Sequence, residues 1–520
     1  MEWDVVIVGT GMGGAAFGYI LALSGHKVLF LEKGLASCEG DQYLQSEEAS
    51  DPDARLKKGQ WPSPIYRKQN DRTVSFYPPL GCGSGGSTLL YAGTLERLSH
   101  SDFCGPSKVE SHMMWPMDYD TLEPYYHQAE ILFGVDGSPN PFQVGPAAPL
   151  RNPPKMARSD ANLFRSLESN GLRPYRAHNA NRIDDHGTNQ KLREKRALDA
   201  HQVFIVPALS TGNAKIIDCC TVERVEADKN EVKELVCRRE GEAFTVKARY
   251  YALGCGALST PHLLLRSANS YWPTGVANSS GMVGRNLMFH VSDFLAVWAR
   301  GPVDGVKAGR AILIRDFYES KGKKYGVIQS TGLPASARII GHFLKTSLES
   351  GSWPWLRPFM NVLFAPALVA SWLFGRATIF ATVMEDHPYP ENRIIVDPEM
   401  EDKICFEYHI HEELRLRLQS FRKFYRSAFR RHRMLVLTPD VNLNFGHACG
   451  TCRAGNDRCS SVVDSGNRSH DLDNLYIVDA SCFTSSGGVN PSLTIAALSL
   501  RAGTILSRSL KLRSAQTCDQ

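Results

Sequence analysis

The apolar positions at the start of the chain change rhythm within its first two dozen residues. Asp4-Val5-Val6-Ile7-Val8 is an unbroken apolar run that stops at Gly9-Thr10-Gly11-Met12-Gly13-Gly14, after which small and apolar residues recur at helical spacing to about Ser24. An unbroken run closed by glycine predicts a buried strand, and the change of period predicts a helix after it. A second run, Lys27 to Leu31, predicts another strand and ends on Glu32. Further on, Val222 to Val225, Val232 to Cys237 and Tyr250 to Leu253 are short strand-like runs broken by the turns Asp228-Lys229-Asn230 and Glu240-Gly241-Glu242, so residues 215–253 predict a β-meander closing on a strand. That strand enters Gly254-Cys255-Gly256-Ala257-Leu258-Ser259-Thr260-Pro261 and a leucine-rich helix, which places a second glycine turn at the carboxyl edge of a sheet, where ligands collect. Residues from about 100 to 200 carry mixed helical signals and no period that places them.

Strand, glycine turn and helix together form the pattern of a dinucleotide fingerprint, and Glu32 stands 21 residues beyond Gly11, near the ~20 that the pattern requires. Gly9 permits the tight turn, Gly11 lets the backbone approach a pyrophosphate, and Gly14 lets helix and strand pack closely. The helix N-terminus offers free N–H groups, and Glu32 would take ribose hydroxyls. A glycine-rich turn with no ligand is the plain alternative. Gly81-Cys82-Gly83-Ser84-Gly85-Gly86 fits the same expression but follows Tyr77-Pro78-Pro79-Leu80, and a proline pair cannot form a central strand. It reads as a loop whose backbone donors suit a phosphate or the edge of an isoalloxazine. One dinucleotide is therefore expected, without a separate NAD(P)H site.

Composition narrows the class. At 520 residues, 43% hydrophobic and 22% charged, the chain has the make-up of a globular protein of several domains. The excess of 59 Lys and Arg over 54 Asp and Glu, +5, is too small to argue for nucleic acid, and no basic run stands out. The 13 cysteines are odd in number, and Met1 to Val8 reads as a strand rather than a leader, so reduced thiols and a cytoplasmic location are expected.

The last third holds His447-Ala448-Cys449-Gly450-Thr451-Cys452-Arg453, then Val478-Asp479-Ala480-Ser481, then Asn490-Pro491-Ser492-Leu493-Thr494 opening a helix of small and apolar residues. With the fingerprint, the GSGGST loop, Trp115-Pro116, Asp118-Tyr119, Tyr125-Tyr126, the GCGALSTP turn and Val283-Gly284-Arg285-Asn286-Leu287, the chain resembles the glucose-methanol-choline (GMC) flavoprotein oxidoreductases along nearly its whole length. The resemblance implies an α/β fold: a Rossmann-like FAD-binding domain of three-layer ββα character, plus a substrate domain on a six-stranded antiparallel sheet. We expect residues 1–150, 200–295 and 445–520 in the FAD domain, and 151–199 and 296–444 in the substrate domain. It also implies that Gly9, Gly11, Gly14, Glu32, Gly85, Gly86, Ser87, Val222, Asp479, Ala480, Pro491 and Thr494 contact FAD. Asp479 matches the family's acid near the ribityl chain, and Pro491 to Thr494 bring a helix N-terminus to the flavin pyrimidine, where reduced flavin gathers negative charge.

In alcohol-oxidising members a histidine at the position of His447 is the base, with a histidine or asparagine partner at the position of Asn490. Loss of the hydroxyl proton eases departure of the carbinol hydride to flavin N5, and a base near neutral pKa suits that transfer. Asn490 can hold the substrate oxygen but is no base. The expected activity is FAD-dependent oxidation of a CH–OH group to an aldehyde or ketone, with oxygen or another acceptor reoxidising the flavin. A bulky or lipophilic alcohol is the first expectation and a sugar or glycoside the second. A light-driven fatty-acid decarboxylase and a noncatalytic flavoprotein are the alternatives. Members that attach FAD covalently carry a histidine shortly after the GGS loop, where this chain has Thr88-Leu89-Leu90-Tyr91, so FAD is expected to be noncovalent. His447, Cys449, Cys452 and Cys459 resemble a metal cluster, but a second CxxC pair is missing and no metal is expected. Between Arg357 and Arg376 no residue is charged, a stretch near the length of a membrane span but interrupted by Pro366. Residues 358–375 therefore read as a buried element, an apolar lid or a shallow membrane-docking element. The oligomeric state is left open.

Overall fold

Alternate residues of the opening strands face two different layers, which is why these strands read as unbroken apolar runs. In Trp3–Val8, Val5 and Ile7 enter one hydrophobic core while Val6 and Val8 enter another; Val28 and Phe30 against Leu29 and Leu31, and Tyr250 and Ala252 against Tyr251 and Leu253, repeat the division. These strands belong to a five-stranded parallel sheet in the order Leu475–Ile477, Ala248–Leu253, Trp3–Val8, Val28–Leu31, Ala214–Ile217. The helices Met12–Leu23, Tyr119–Phe133 and Ser492–Cys518 cover one face, and a three-stranded antiparallel meander, Cys220–Ala227, Val232–Arg239 and Glu242–Val246, covers the other. This is the three-layer ββα arrangement around a Rossmann-like sheet. The strand on which the meander closes, Tyr250 to Leu253, lies beside the opening strand in the parallel sheet.

The computed structural model describes residues 2–37, 49–69, 72–104, 114–180, 197–300, 309–332 and 377–518. Among them a second, antiparallel sheet has seven strands: Leu313–Ile314, Gly326–Ser330, Ala377–Met384, Met288–Val291 and Leu443–Cys449 in line, with Phe294–Trp298 and Arg433–Val436 branching from Ala377–Met384. The count is one above the expected six, and it includes an edge strand, Leu313–Ile314, of two residues. Met288–Val291 and most of Leu443–Cys449 lie in this sheet, although residues up to 295 and from 445 were expected with the FAD domain. The reason is that strands pair by ladder, and Met288–Val291 ladders with Ala377–Met384 as well as with Leu443–Cys449. The helix Glu412–Ala428 lays Leu414, Leu418, Phe421, Tyr425 and Ala428 on this sheet, an apolar stripe at helical spacing. No helix among the described residues is long and apolar enough to cross a membrane. The uncharged stretch 358–375 lies outside the described residues.

Candidate active site

The glycines of the first turn differ in what a side chain would strike. A Cβ on Gly13 would lie 1.6 Å from the Val478 carbonyl oxygen, one on Gly14 2.1 Å from the Gly9 oxygen, and one on Gly9, whose φ is +90°, 2.6 Å from the Gly254 oxygen. Protein backbone already fills those positions. At Gly11 the nearest atoms would be Gly86 Cα at 3.9 Å and the Gly254 oxygen at 4.0 Å, ordinary van der Waals distances. Gly11 is also the N-cap of Met12–Leu23, and no side chain bonds the first turn of that helix. Backbone N–H groups there remain free to receive an anion, and the open side of Gly11 admits a pyrophosphate.

The GSGGST loop closes over this turn. Gly85 N donates to the Thr10 oxygen at 3.2 Å, and Gly86 packs on Gly11 so closely that a Cβ would stand 2.7 Å from the Gly11 Cα. A short 3-10 helix, Gly86–Leu89, follows, with Ser87 exposed and its Oγ accepting from Gly81 N at 3.1 Å. Glu32 is buried, and its carboxylate accepts from Thr10 N at 3.0 Å, Thr10 Oγ1 at 2.6 Å and Gly34 N at 2.9 Å. Burial holds its carboxyl above the ordinary value, while those donors pull it down. Two oxygens offer about four acceptor positions, so three bonds to the turn leave Glu32 capacity for a hydroxyl. The Glu32 carbonyl receives Cys220 N at 2.9 Å, which sets half-buried Val222 two residues along the same strand.

Asp479 ties three segments together. Its Oδ2 accepts from Gly256 N at 2.8 Å and Thr260 Oγ1 at 2.6 Å, and its Oδ1 from Ser481 N at 2.8 Å. Burial pushes its carboxyl up against those bonds. Neighbouring Ala480 is buried and accepts Gly450 N through its carbonyl at 3.0 Å, so the HxxGTC segment is fastened to the same turn. Pro491 is buried at the entry of Ser492–Cys518, and Thr494 Oγ1 is 2.8 Å from the Tyr126 hydroxyl. The turn, the loop and the acid thus gather at one end of the parallel sheet and could hold a dinucleotide.

His447 owes its position to an irregularity in pairing. Met288 pairs with Cys449 and His290 with Asn444, so two steps on one strand face five on the other. Phe445 to Ala448, four residues set against Phe289 alone, bulge from the ladder, and a bulge re-aims the side chains it carries. The bulge brings His447 Nδ1 within 3.0 Å of His290 Nδ1, with the rings edge to face at 5.1 Å. His290 is fully buried, and its Nε2 is 3.1 Å from the Ser486 oxygen and 3.0 Å from the Gly487 oxygen.

Carbonyl oxygens only accept, so His290 Nε2 carries the hydrogen. A neutral His290 then presents an unprotonated Nδ1, which makes His447 Nδ1 the donor across the pair. By elimination His447 Nε2 bears a lone pair, and among the described residues it has no hydrogen-bond partner. Burial, and then the neighbouring His290, push the His447 pKa down to about 3; burial pushes His290 down to about 4. Both shifts favour the neutral imidazoles, the form that this hydrogen-bond chain requires.

The Ser486 that receives His290 is itself fixed, its Oγ bonding the Asp386 backbone at N (2.8 Å) and O (3.1 Å). A few residues on, Asn490 is half-buried, and its Oδ1 is buried without a hydrogen-bond partner among the described residues, as are Thr484 Oγ1 and Ser485 Oγ. Unpartnered polar atoms cost free energy unless a bound molecule satisfies them. His290 was not among the residues singled out from sequence; its signal was a histidine inside the apolar run Met288-Phe289-His290-Val291.

Residues 4–292 match the N-terminal signature of GMC oxidoreductases and residues 414–499 the C-terminal one. A 6'''-hydroxyparomomycin C oxidase of Streptomyces lividus is 28% identical over 98% of this chain and 92% of its own length. A 2-methyl-1,2-propanediol dehydrogenase of Mycolicibacterium austroafricanum is 28% identical over 98% and 95%. The crystal structure of a pyridoxine 4-oxidase from Mesorbium loti has the same fold, with a TM-score of 0.67 at 19% identity over 96% of this chain and 98% of that one.

Proposed function

The chain belongs to the GMC oxidoreductase family, and from that premise we propose that it is an FAD-dependent alcohol oxidoreductase in which His447 is the base. The family binds FAD in general. The observation that carries the assignment of His447 is the tautomer chain from the Ser486 and Gly487 carbonyls through His290, which leaves His447 Nε2 as the unprotonated nitrogen. His447 Nε2 accepts the substrate hydroxyl proton, and Asn490, with its unpartnered Oδ1, orients the substrate oxygen. Bound FAD supplies a two-electron acceptor for the carbinol hydride. Gly11, Gly85, Gly86 and Ser87 hold its pyrophosphate and neighbouring atoms, Glu32 and Val222 its adenosine end, and Asp479, Ala480, Pro491 and Thr494 its flavin end. The cofactor is noncovalent, because Thr88 to Tyr91 contains no histidine to attach it.

Relatives named as oxidases and as dehydrogenases both occur among the proteins that resemble this chain. Their named substrates, an aminoglycoside and a small branched diol, span the alcohol and sugar-like classes, and for this chain we favour a bulky or lipophilic alcohol. The deciding experiment is anaerobic bleaching of the flavin near ~450 nm by sterols, long-chain alcohols, aryl alcohols and sugars, followed by air. Bleaching by one class names the substrate, and the speed of recovery in air separates oxidase from dehydrogenase. Flavin that no alcohol reduces would sink the proposal.

A further inference from the structure

The hydrogen bonds that fix His447 do not end at the Ser486 and Gly487 carbonyls. The Gly487 oxygen that accepts from His290 Nε2 belongs to the Gly487–Gly488 peptide, and the N–H of that same peptide donates to the Tyr318 hydroxyl at 3.0 Å. Tyr318 Oη is also 2.5 Å from Asp102 Oδ2, and a carboxylate only accepts, so the phenol proton points to Asp102. Ser99 N donates to the same Oδ2 at 2.6 Å, and Lys324 Nζ donates to Oδ1 at 3.0 Å. Asp102 and Tyr318 are buried, and burial first, then Asp102, holds the phenol pKa well above its ordinary value. A Cβ on Gly488 would stand 2.5 Å from the Gly326 Cα and 2.8 Å from Tyr318 Cε2, so the bare glycine is what lets the phenol ring lie against this peptide.

From the substrate outward, every donor faces the same way. The substrate hydroxyl donates to His447 Nε2, His447 Nδ1 to His290 Nδ1, His290 Nε2 to the Gly487 oxygen, Gly488 N to Tyr318 Oη, and Tyr318 Oη to Asp102 Oδ2. Hydrogen bonds aligned head to tail polarise one another, and a peptide passes the effect on because its C–N bond has partial double-bond character. When His447 takes up the hydroxyl proton, the added charge strengthens each bond along the chain toward the carboxylate at its end. We propose that Tyr318 and Asp102 are positioning residues for alcohol oxidation, which hold His290 as the acceptor for His447 and raise the proton affinity of His447 Nε2 through this chain. The proposal rests on His447 being the base. A tie that merely satisfied the Gly488 N–H would need the Tyr318 hydroxyl too, but it would not act through His447.

The test is a cycle of Tyr318→Phe and His447→Ala, each alone and both together, read by anaerobic stopped flow with whichever of the sterol, long-chain, aryl and sugar alcohols bleaches the flavin. Tyr318→Phe is expected to keep FAD and KM, to slow flavin reduction by about three- to tenfold, and to add nothing once His447 is gone. A second readout needs no alcohol. In proton NMR of the holoprotein the His447 Nδ1–H resonance, assigned by its loss in His447→Ala, should move upfield in Tyr318→Phe. Asp102→Asn should give both effects with the phenol still in place, so it carries the test if Tyr318→Phe does not fold. An unmoved resonance, wild-type reduction, the same fold-loss with and without His447, or a loss confined to KM would overturn the proposal. Failure of the His447 reading itself would show differently, as wild-type reduction in His447→Ala.

Discussion

The glycine turn at the start of the chain and the bulge at His447 solve the same problem, the placing of a reactive group, by opposite means. At the turn the protein works by leaving side chains out: Gly13 and Gly14 have backbone oxygens 1.6 Å and 2.1 Å from where a Cβ would go. At the bulge it works by adding residues, so that a histidine leaves its ladder and meets a second histidine 157 positions away in the chain. The glycines of the first device are close in sequence and can be read directly from the letters, although the backbone that Gly13 and Gly9 must admit comes from Val478 and Gly254. The second depends on two strands meeting.

Gly13 and Gly11 give the sharpest test of the first device, and the largest effect. Gly13→Ala drives a methyl into the Val478 carbonyl, so the helix and strand must part, and a loss above about 4 kcal/mol is expected. Gly11→Ala meets nothing nearer than 3.9 Å, so the apoprotein should keep its stability while FAD affinity falls. Thermal unfolding of the apoprotein and flavin content of the purified protein separate the two. A Gly11→Ala protein that retains full flavin would break the contrast.

At the bulge, His447→Ala is expected to keep FAD and to slow flavin reduction by alcohol by roughly two to four orders of magnitude, measured by anaerobic stopped flow. Wild-type reduction rates would remove His447 as the base. His290→Gln should cost less, about ten- to a hundredfold in kcat with little change in KM, because His290 fixes the tautomer of His447 without itself touching substrate. A loss in His290→Gln that exceeds the loss in His447→Ala would reverse the two roles.

Legibility follows the same division. The opening strand, the turn, the helix and the second strand are legible because each is local, and the positions of Asp479 and the NPSLT helix follow from motif order. Gly13 escaped notice because the pattern names other positions, although its Cβ would make the shortest contact of any glycine in the turn. His290 escaped because nothing local separates it from an ordinary core histidine; only the ladder that sets Met288 against Cys449 brings it to His447. The same ladder puts Met288–Val291 in the antiparallel sheet, and no local signal chooses between the two sheets for Met288-Phe289-His290-Val291.

The smallest effect concerns acid, and it probes how the pair is held rather than whether it exists. Burial first, and His290 second, lower the His447 pKa to about 3, whereas the unfolded value is near 6.5. Below 6.5 the unfolded chain takes up a proton that folded His447 refuses, so this group's contribution to stability falls as the pH drops from about 6.5 toward 3. Catalysis needs the unprotonated form, which persists throughout that window, so kcat/KM should show no His447 limb between about pH 5 and pH 8. His290→Gln removes the lesser cause and keeps the greater. The acid limb in that variant should therefore move up by less than about one pH unit. A limb that moved to about pH 6.5 would mean that the His290 pair, and not enclosure, keeps His447 neutral.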